Sequence, residues 1–207
     1  GREPQPELLS TAAAVAGRTQ RLRIGLNAAS LGLRDPVVTA KACATIDVLS
    51  EGRLLPVFGI GSKRSRDWSA TGRDTRGRGR RMDEALEIVQ RLWRGERVDF
   101  AGEHFRLDGA EIAPLPAQDP MTLWIGGSAA QAIERTARWG TGWQGGIETP
   151  AQVAPVVAAI RARTTELGRS IDEDHYGAGF AFRFGGPDDA PVARFREGLS
   201  RVLGREP

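Results

Sequence analysis

The chain has 207 residues, 40% hydrophobic and 27% charged, which is enough to bury a sizeable core without a disulfide or metal staple. One cysteine, Cys43, excludes a disulfide framework or multi-cysteine metal centre. The two histidines, His104 and His175, leave no basis for a histidine-rich one, and no apolar run approaches the roughly 18 residues of a membrane span. Formal net charge is +3, and of the 29 basic residues all but Lys41 and Lys63 are arginine, the side chain that forks onto phosphates and carboxylates.

In chain order, Gly1 to Ser10 lacks a basic region followed by an apolar one, so no secretory signal is read and a cytoplasmic location is expected. Leu22 to Ala28 is a short apolar run that predicts a strand. Asp35-Pro36 then pairs an N-cap with proline at the first helical position, ahead of Val37, Ala40, Ile46, Val48 and Leu49 on a helix. A second strand is predicted at Leu54 to Ile60, followed by an arginine-rich stretch. The next helix repeats Met82, Leu86, Val89 and Trp93 at intervals of four and three. Arg97 to Phe100 and His104 to Leu107, about Gly102, read as a hairpin inserted at about 96–116. A third strand, Leu123 to Gly127, leads into a helix from Ser128 to Trp139. A fourth, Thr141 to Gly145, precedes the cap Thr149-Pro150 of a helix ending at Gly168. A fifth strand is expected over Gly177 to Phe184, and a last helix, capped by Asp188, through Leu203.

Strands alternating with helices imply parallel pairing and an α/β class, with nothing marking a second domain within 1–207. In such folds sites lie at the carboxyl ends of the strands. Two loops there are rich in small residues: Gly59-Ile-Gly61-Ser62 and Gly126-Gly127-Ser128-Ala129-Ala130. Glycines let a backbone approach a ligand, and the free N–H groups of a helix starting near Ser128 suit a phosphate; tight strand-to-helix turns would also need them. Neither loop completes the dinucleotide glycine pattern, since Arg64 stands at the last glycine's place. Lys63 to Arg81 gathers eight basic residues against Asp67 and Asp74, an anion site or a solvated loop. Ser128 could also be the nucleophile of a serine hydrolase with Asp172 or Asp174 and His175. Arg64 to Arg81 could serve a nucleic-acid-binding module, although only Trp68 supplies an aromatic. Cys43 reads as a core residue, and Trp143 as either core or the lining of a ring pocket.

Taken in order, Arg21-Leu-Arg-Ile-Gly25, Arg34-Asp-Pro-Val-Val38, Ala44-Thr-Ile-Asp-Val-Leu-Ser-Glu-Gly-Arg53, Phe58-Gly-Ile-Gly61, Arg81-Met-Asp-Glu-Ala-Leu86, Gly102-Glu-His-Phe105, Leu123-Trp-Ile-Gly-Gly-Ser128 and Gly142-Trp143 resemble the luciferase-like monooxygenase superfamily, and within it the branch that uses the deazaflavin coenzyme F-420. The resemblance implies a (β/α)8 TIM barrel with an insertion before its fifth strand. It makes the strand at Leu22 the barrel's third, so that strands 1, 2 and 8 have no counterpart here and the chain is the middle of a longer protein. It implies a flavin- or deazaflavin-dependent oxidoreductase, transferring hydride or activating oxygen, with coenzyme F-420 preferred over FMN; a member that binds cofactor without turnover is the alternative. The cofactor would touch Asn27, Ala28, Gly59, Gly61, Gly126, Gly127, Ser128, Ala129 and Trp143, with a non-prolyl cis peptide at Asn27-Ala28. No catalytic residue is assigned, because the second-strand polar group common in the family has no equivalent, and no metal is expected. Val57 and Thr141 depart from the glycine and aspartate usual at their positions. A small organic substrate and a homodimer are the expected partners, without nucleic acid or membrane.

Overall fold

The computed structural model describes residues 6–204. It opens with a helix the sequence reading does not anticipate, α1 (Leu8–Arg18), whose Glu7 carboxylate caps it by accepting the Ser10 N–H at 2.8 Å. Then come β1 (Ile24–Ser30), α2 (Pro36–Leu49), β2 (Leu54–Gly59), the single turn α3 (Asp67–Ala70) and α4 (Arg78–Trp93). A hairpin of β3 (Val98–Ala101) and β4 (Arg106–Ala110) follows, then β5 (Trp124–Gly126), α5 (Ala130–Trp139), β6 (Gly142–Gln144), α6 (Pro150–Glu166), β7 (Tyr176–Gly177) and α7 (Ala190–Leu203).

Five strands form one parallel sheet in the order β1-β2-β5-β6-β7, which is sequence order. Right-handed crossovers between parallel neighbours put every connecting helix on the same side. The helices accordingly form a row in which α1 packs on α2, α2 on α4, α4 on α5 and α5 on α6. The sheet is thus an arc with one helix-covered face and one lumen face. Register sorts the side chains: Phe58 and Ile125 are partners, as are Ile125 and Trp143, and Phe58 stacks on Trp93 of α4 at 6.4 Å, so this row faces the helices. Val57, Trp124 and Gly142 form the alternate row on the lumen side. Between sheet and helices lie Leu26, Phe58, Met82, Leu86, Ile88, Val89, Leu92 and Ile125, all essentially inaccessible. Each contributes about 1.5–3 kcal/mol on burial.

The hairpin is pinned by one carboxylate. Glu84 of α4 accepts the backbone N–H groups of Glu103 and His104 at 2.9 Å and of Phe105 at 3.1 Å. Gly102 has to be glycine because a Cβ there would lie 2.6 Å from the Phe100 ring and from the Glu84 carboxyl carbon. Arg81 lies over the Phe105 ring at 4.3 Å and donates to the Gly32 carbonyl at 2.9 Å. The amino ends of the strands are tied by Arg53, which donates to the carbonyls of Thr19 and Leu22 at 2.8 Å. Buried Asp47 holds the Gln118 backbone at 3.0 Å and its side chain at 2.7 Å. The return segment between the hairpin and β5 contains cis peptides at Ala113-Pro114 and Asp119-Pro120.

Several expectations are corrected. Leu22 precedes β1 and is 56% exposed. The hairpin strands begin one and two residues later than the sequence pattern placed them, and end one and three residues later. The strand expected over Gly177 to Phe184 is only Tyr176–Gly177. Its partner β6 ends at Gln144, and beyond the bond from the Gly179 N–H to the Gly146 carbonyl at 3.1 Å the alternation Phe180, Phe182, Phe184 has no neighbouring strand to pair with among the described residues. The last helix is capped at Asp189, not Asp188, and Ser128 is not helical: α5 begins at Ala130 with Ala129 at its N-cap.

Candidate cofactor site at the carboxyl ends of the strands

At the end of β5 the chain turns through Gly126 and Gly127, the latter at φ +111°, a conformation L side chains rarely adopt. Both polar groups of the Gly127 backbone are engaged: its N–H donates to the Gln144 carbonyl at 3.2 Å, and its carbonyl accepts the Trp143 indole N–H at 2.7 Å. Trp143 is therefore fully buried behind the turn, which it holds from the helix side, and does not line the cavity in front of it. The turn delivers the chain to α5 with no side chain capping it, and among the described residues the N–H groups of Ser128, Ala129, Ala130 and Gln131 have no acceptor. Four free donors at a helix start carry the positive end of the helix dipole.

Ser128, Ala129 and Gln131 line a cavity of about 480 Å³ that is also lined by Lys63 and the segment Thr75 to Gly79. The glycine turn and the basic stretch, far apart in sequence, thus face one space. Among the described residues, no acidic side chain lines it. Arg76 is paired with Asp74 at 2.6 Å, and the buried Arg135 is held in the wall by Asp83 at 2.5 and 3.3 Å. Arg78, the first residue of α4, differs: its Nε is buried with no partner among the described residues, and one terminal nitrogen reaches only the Thr75 carbonyl at 3.4 Å. A guanidinium in the lining of a cavity that no acidic side chain lines suits an anionic guest.

On the lumen face beside the turn, Asn27 and Ala28 are exposed within β1 and joined by a cis peptide, as the resemblance implied. A Cβ built on Gly59 would lie 3.5 Å from the Ala28 methyl, and one on Gly126 would lie 3.7 Å from it. Three neighbouring strand ends thus present a flat, side-chain-poor surface that continues through Gly126 into the cavity. Gly61 serves local packing instead, for at φ +74° it abuts Ser30 Oγ, which a Cβ would approach to 2.8 Å, and it does not line the cavity.

Ser128 does line the cavity, but its hydroxyl donates to Glu148 Oε1 at 2.6 Å, so it is not a further phosphate donor. The hydrolase alternative fails on the same geometry. His175 lies at the start of β7, the opposite end of the sheet, with Nδ1 on the Thr141 carbonyl at 2.9 Å. As for a nucleic-acid platform, Trp68 is 2% exposed, while Arg76 and Arg80 are paired with Asp74 and Glu103. Sequence reasoning missed Arg135 and Glu148, and placed Arg78 only within the basic stretch Lys63 to Arg81. Arg135 had a signal, a charge on the apolar face of α5 between Ala132 and Thr136, and Glu148 stands in a carboxyl-end loop; nothing singled out Arg78 among its neighbours.

The luciferase-like monooxygenase family model matches residues 1–201. The chain is 32% identical over 174 residues to the coenzyme F-420-dependent glucose-6-phosphate dehydrogenase of Nakamurella multipartita, covering 81% of this chain and 50% of that protein. It is 30% identical over 169 residues to an uncharacterised protein of Mycobacterium tuberculosis, covering 81% of this chain and 57% of that protein. The chain therefore spans about half the length of the curated relatives it matches. A monooxygenase of Streptomyces bottropensis superposes on 95% of this chain and 60% of its own, with TM-score 0.81 at 25% identity. The coenzyme F-420-dependent tetrahydromethanopterin reductase of Methanopyrus kandleri covers 96% of this chain and 61% of its own, with TM-score 0.79 at 19% identity, a likeness of fold. The arc of five parallel strands is accordingly part of a (β/α)8 barrel, and the chain belongs to the luciferase-like monooxygenase family.

Proposed function

We propose that this chain is the cofactor-holding part of a flavin- or deazaflavin-dependent oxidoreductase acting on a small organic substrate, with coenzyme F-420 preferred and FMN the alternative. The observation that carries the reading is the cavity, lined by no acidic side chain among the described residues, that Ser128, Ala129 and Gln131, with unbonded N–H groups at the start of α5, share with Lys63, Arg76 and Arg78. The ring would rest on Asn27, Ala28, Gly59 and Gly126, where the missing Cβ atoms leave room for a planar group, and the phosphate on the N–H groups of Ser128 to Gln131. Gly127 and Trp143 would hold the turn from behind, and Gly61 would pack the neighbouring loop. When bound, the ring supplies hydride transfer, or oxygen activation if it is FMN. Cations beyond those a single phosphate engages favour the deazaflavin, whose acidic tail would meet Arg78 and Lys63.

Ala129→Asp separates binding from folding. An aspartate is a better N-cap than alanine, by about 1 kcal/mol. The same carboxylate competes for the N–H groups and opposes a phosphate. Two unit charges about 4 Å apart at an effective dielectric near 20 repel by roughly 4 kcal/mol, which corresponds to about a thousandfold in affinity. Fluorescence titration with coenzyme F-420 and FMN should show strong weakening in a variant whose melting temperature is unchanged or raised. Undiminished affinity for both would refute the placement.

A further inference from the structure

We infer that the cleft between the carboxyl ends of α4 and α5, at the amino ends of the strands and so opposite the cofactor cavity, binds a small aromatic carboxylate, with Arg169 as the cation that holds it. The cleft has a volume of about 300 Å³, and its lining divides by chemistry. Trp93, Met121 and Trp139 supply apolar surface, and the Trp93 indole offers only its ring because its N–H is committed to the Ala40 carbonyl at 3.0 Å. Arg94, Arg138 and Arg169 supply cations against the single carboxylate of Asp119. These cations are not equivalent. Arg94 is paired with Glu96 at 2.8 Å and Arg138 with Glu134 at 3.0 Å, both carboxylates lying outside the lining. Arg169, half-buried in the loop between α6 and β7, has no carboxylate partner among the described residues, and burial alone holds its guanidinium below the usual arginine value. Its Nη1 and Nη2 donate to the Ala137 and Gly140 carbonyls at the end of α5, at 2.5 and 2.8 Å. Loops at this end of a barrel ordinarily serve stability, and those two bonds do so. They use two of the five N–H groups of a guanidinium, fix its plane, and leave three without an acceptor. A second cavity, of about 290 Å³, shares Pro120, Thr141 and Arg169 with the first, so Arg169 stands where two openings meet. A carboxylate matches the guanidinium fork edge to edge, and the neighbouring indoles suit an aromatic body.

The test follows the indole N–H resonances of the isotope-labelled full chain by NMR during titration with benzoate, with its neutral counterpart benzyl alcohol, and with inorganic phosphate. Trp139→Phe and Trp143→Phe assign the two resonances that matter. In the parent, benzoate should shift Trp139 saturably and leave Trp143, behind the glycine turn, unmoved, with an affinity about tenfold above that of either comparison ligand. Arg169→Lys keeps the charge without the fork and should weaken benzoate several-fold, and Arg169→Gln should bring benzoate down to the level of benzyl alcohol. Because Arg169 also caps α5, circular dichroism checks each variant, and the parent titration stands whether or not a variant folds. The inference is overturned by any of four results: no saturable shift of Trp139 in the parent, equal affinity for benzoate and either comparison ligand, a benzoate shift at Trp143 in place of Trp139, or undiminished benzoate binding by a folded Arg169→Gln chain.

Discussion

Replacing Glu84 by glutamine tests whether one carboxylate fastens the hairpin to the barrel wall. In the parent its two oxygens accept three backbone N–H groups at 2.9, 2.9 and 3.1 Å, those of His104 and Phe105 from partly buried positions. Glutamine retains one acceptor oxygen and turns an NH2 group towards the remaining donors, so at least one bond is lost and a donor faces a donor. A hydrogen bond to a charged group contributes about 1.5–3 kcal/mol, and partial exposure lets water recover part of it, so a net loss of about 2 kcal/mol is expected. For a chain of this size that lowers the melting temperature by roughly 4–8 °C. Glu87→Gln, on the exposed face of the same helix with only a 3.9 Å contact to Arg91, should shift it by no more than about 1 °C and serves as control. The assay is thermal unfolding followed by circular dichroism. Equal melting temperatures for Glu84→Gln and the parent would refute the claim that this carboxylate anchors the hairpin.

Cys43 is fully buried, and burial pushes its thiol up to about 12; it should resist alkylation at pH 8 in the folded chain and react once urea unfolds it, whereas rapid native labelling would contradict its placement. Glu134 bridges α5 to α6 through Arg163 and also meets Arg138, and these guanidinium partners hold its carboxyl down to about 2. A depressed carboxyl stabilises the fold above its ordinary value of 4.5 and loses that contribution as pH falls towards 2. Glu134→Gln should therefore flatten the acid limb of the stability profile between pH 4.5 and 2, by less than about 1 kcal/mol because the pair is solvent-screened, and a limb as steep as the parent's would argue against the bridge. Gly142→Ala would place a methyl 2.7 Å from the His175 carbonyl and against the Trp124 indole, both rigid neighbours; a loss of about 3 kcal/mol in urea unfolding is expected, and a neutral result would show that the sheet has room there.

Much of the architecture is written in local signals. Asp35-Pro36 and Thr149-Pro150 each pair a cap with a proline that starts a helix, and both do so in the structure. The periodic Met82, Leu86, Val89 and Trp93 all face the core. What local pattern does not carry is dependence on a neighbour. α1 buries only Ala12 and Ala16, so its sequence lacks a conspicuous apolar stripe, and the phenylalanines after Gly177 carry strand-like alternation without a partner to pair with among the described residues. The motifs that carry the family resemblance prove largely to be fasteners. Glu84 in one grips Glu103, His104 and Phe105 in another, while Asp47 and Arg53 in a third tie down Gln118, Thr19 and Leu22. The glycine turn was legible as a site because paired glycines after a strand mark a tight strand-to-helix turn, although the helix begins two residues later than the pattern placed it. Its cations were legible only as a basic stretch, Lys63 to Arg81, because which of them line the same cavity as the turn depends on how two segments far apart in sequence come together.

The most direct test of the central claim is amide hydrogen exchange with and without saturating coenzyme F-420, and in parallel FMN. The N–H groups of Ser128, Ala129, Ala130 and Gln131 have no acceptor among the described residues and should exchange quickly in the free chain. The account predicts that bound ligand slows these four amides markedly while α1, on the far side of the helix row, is unchanged. Tight binding of either ligand with no added protection between Gly126 and Arg135 would contradict it.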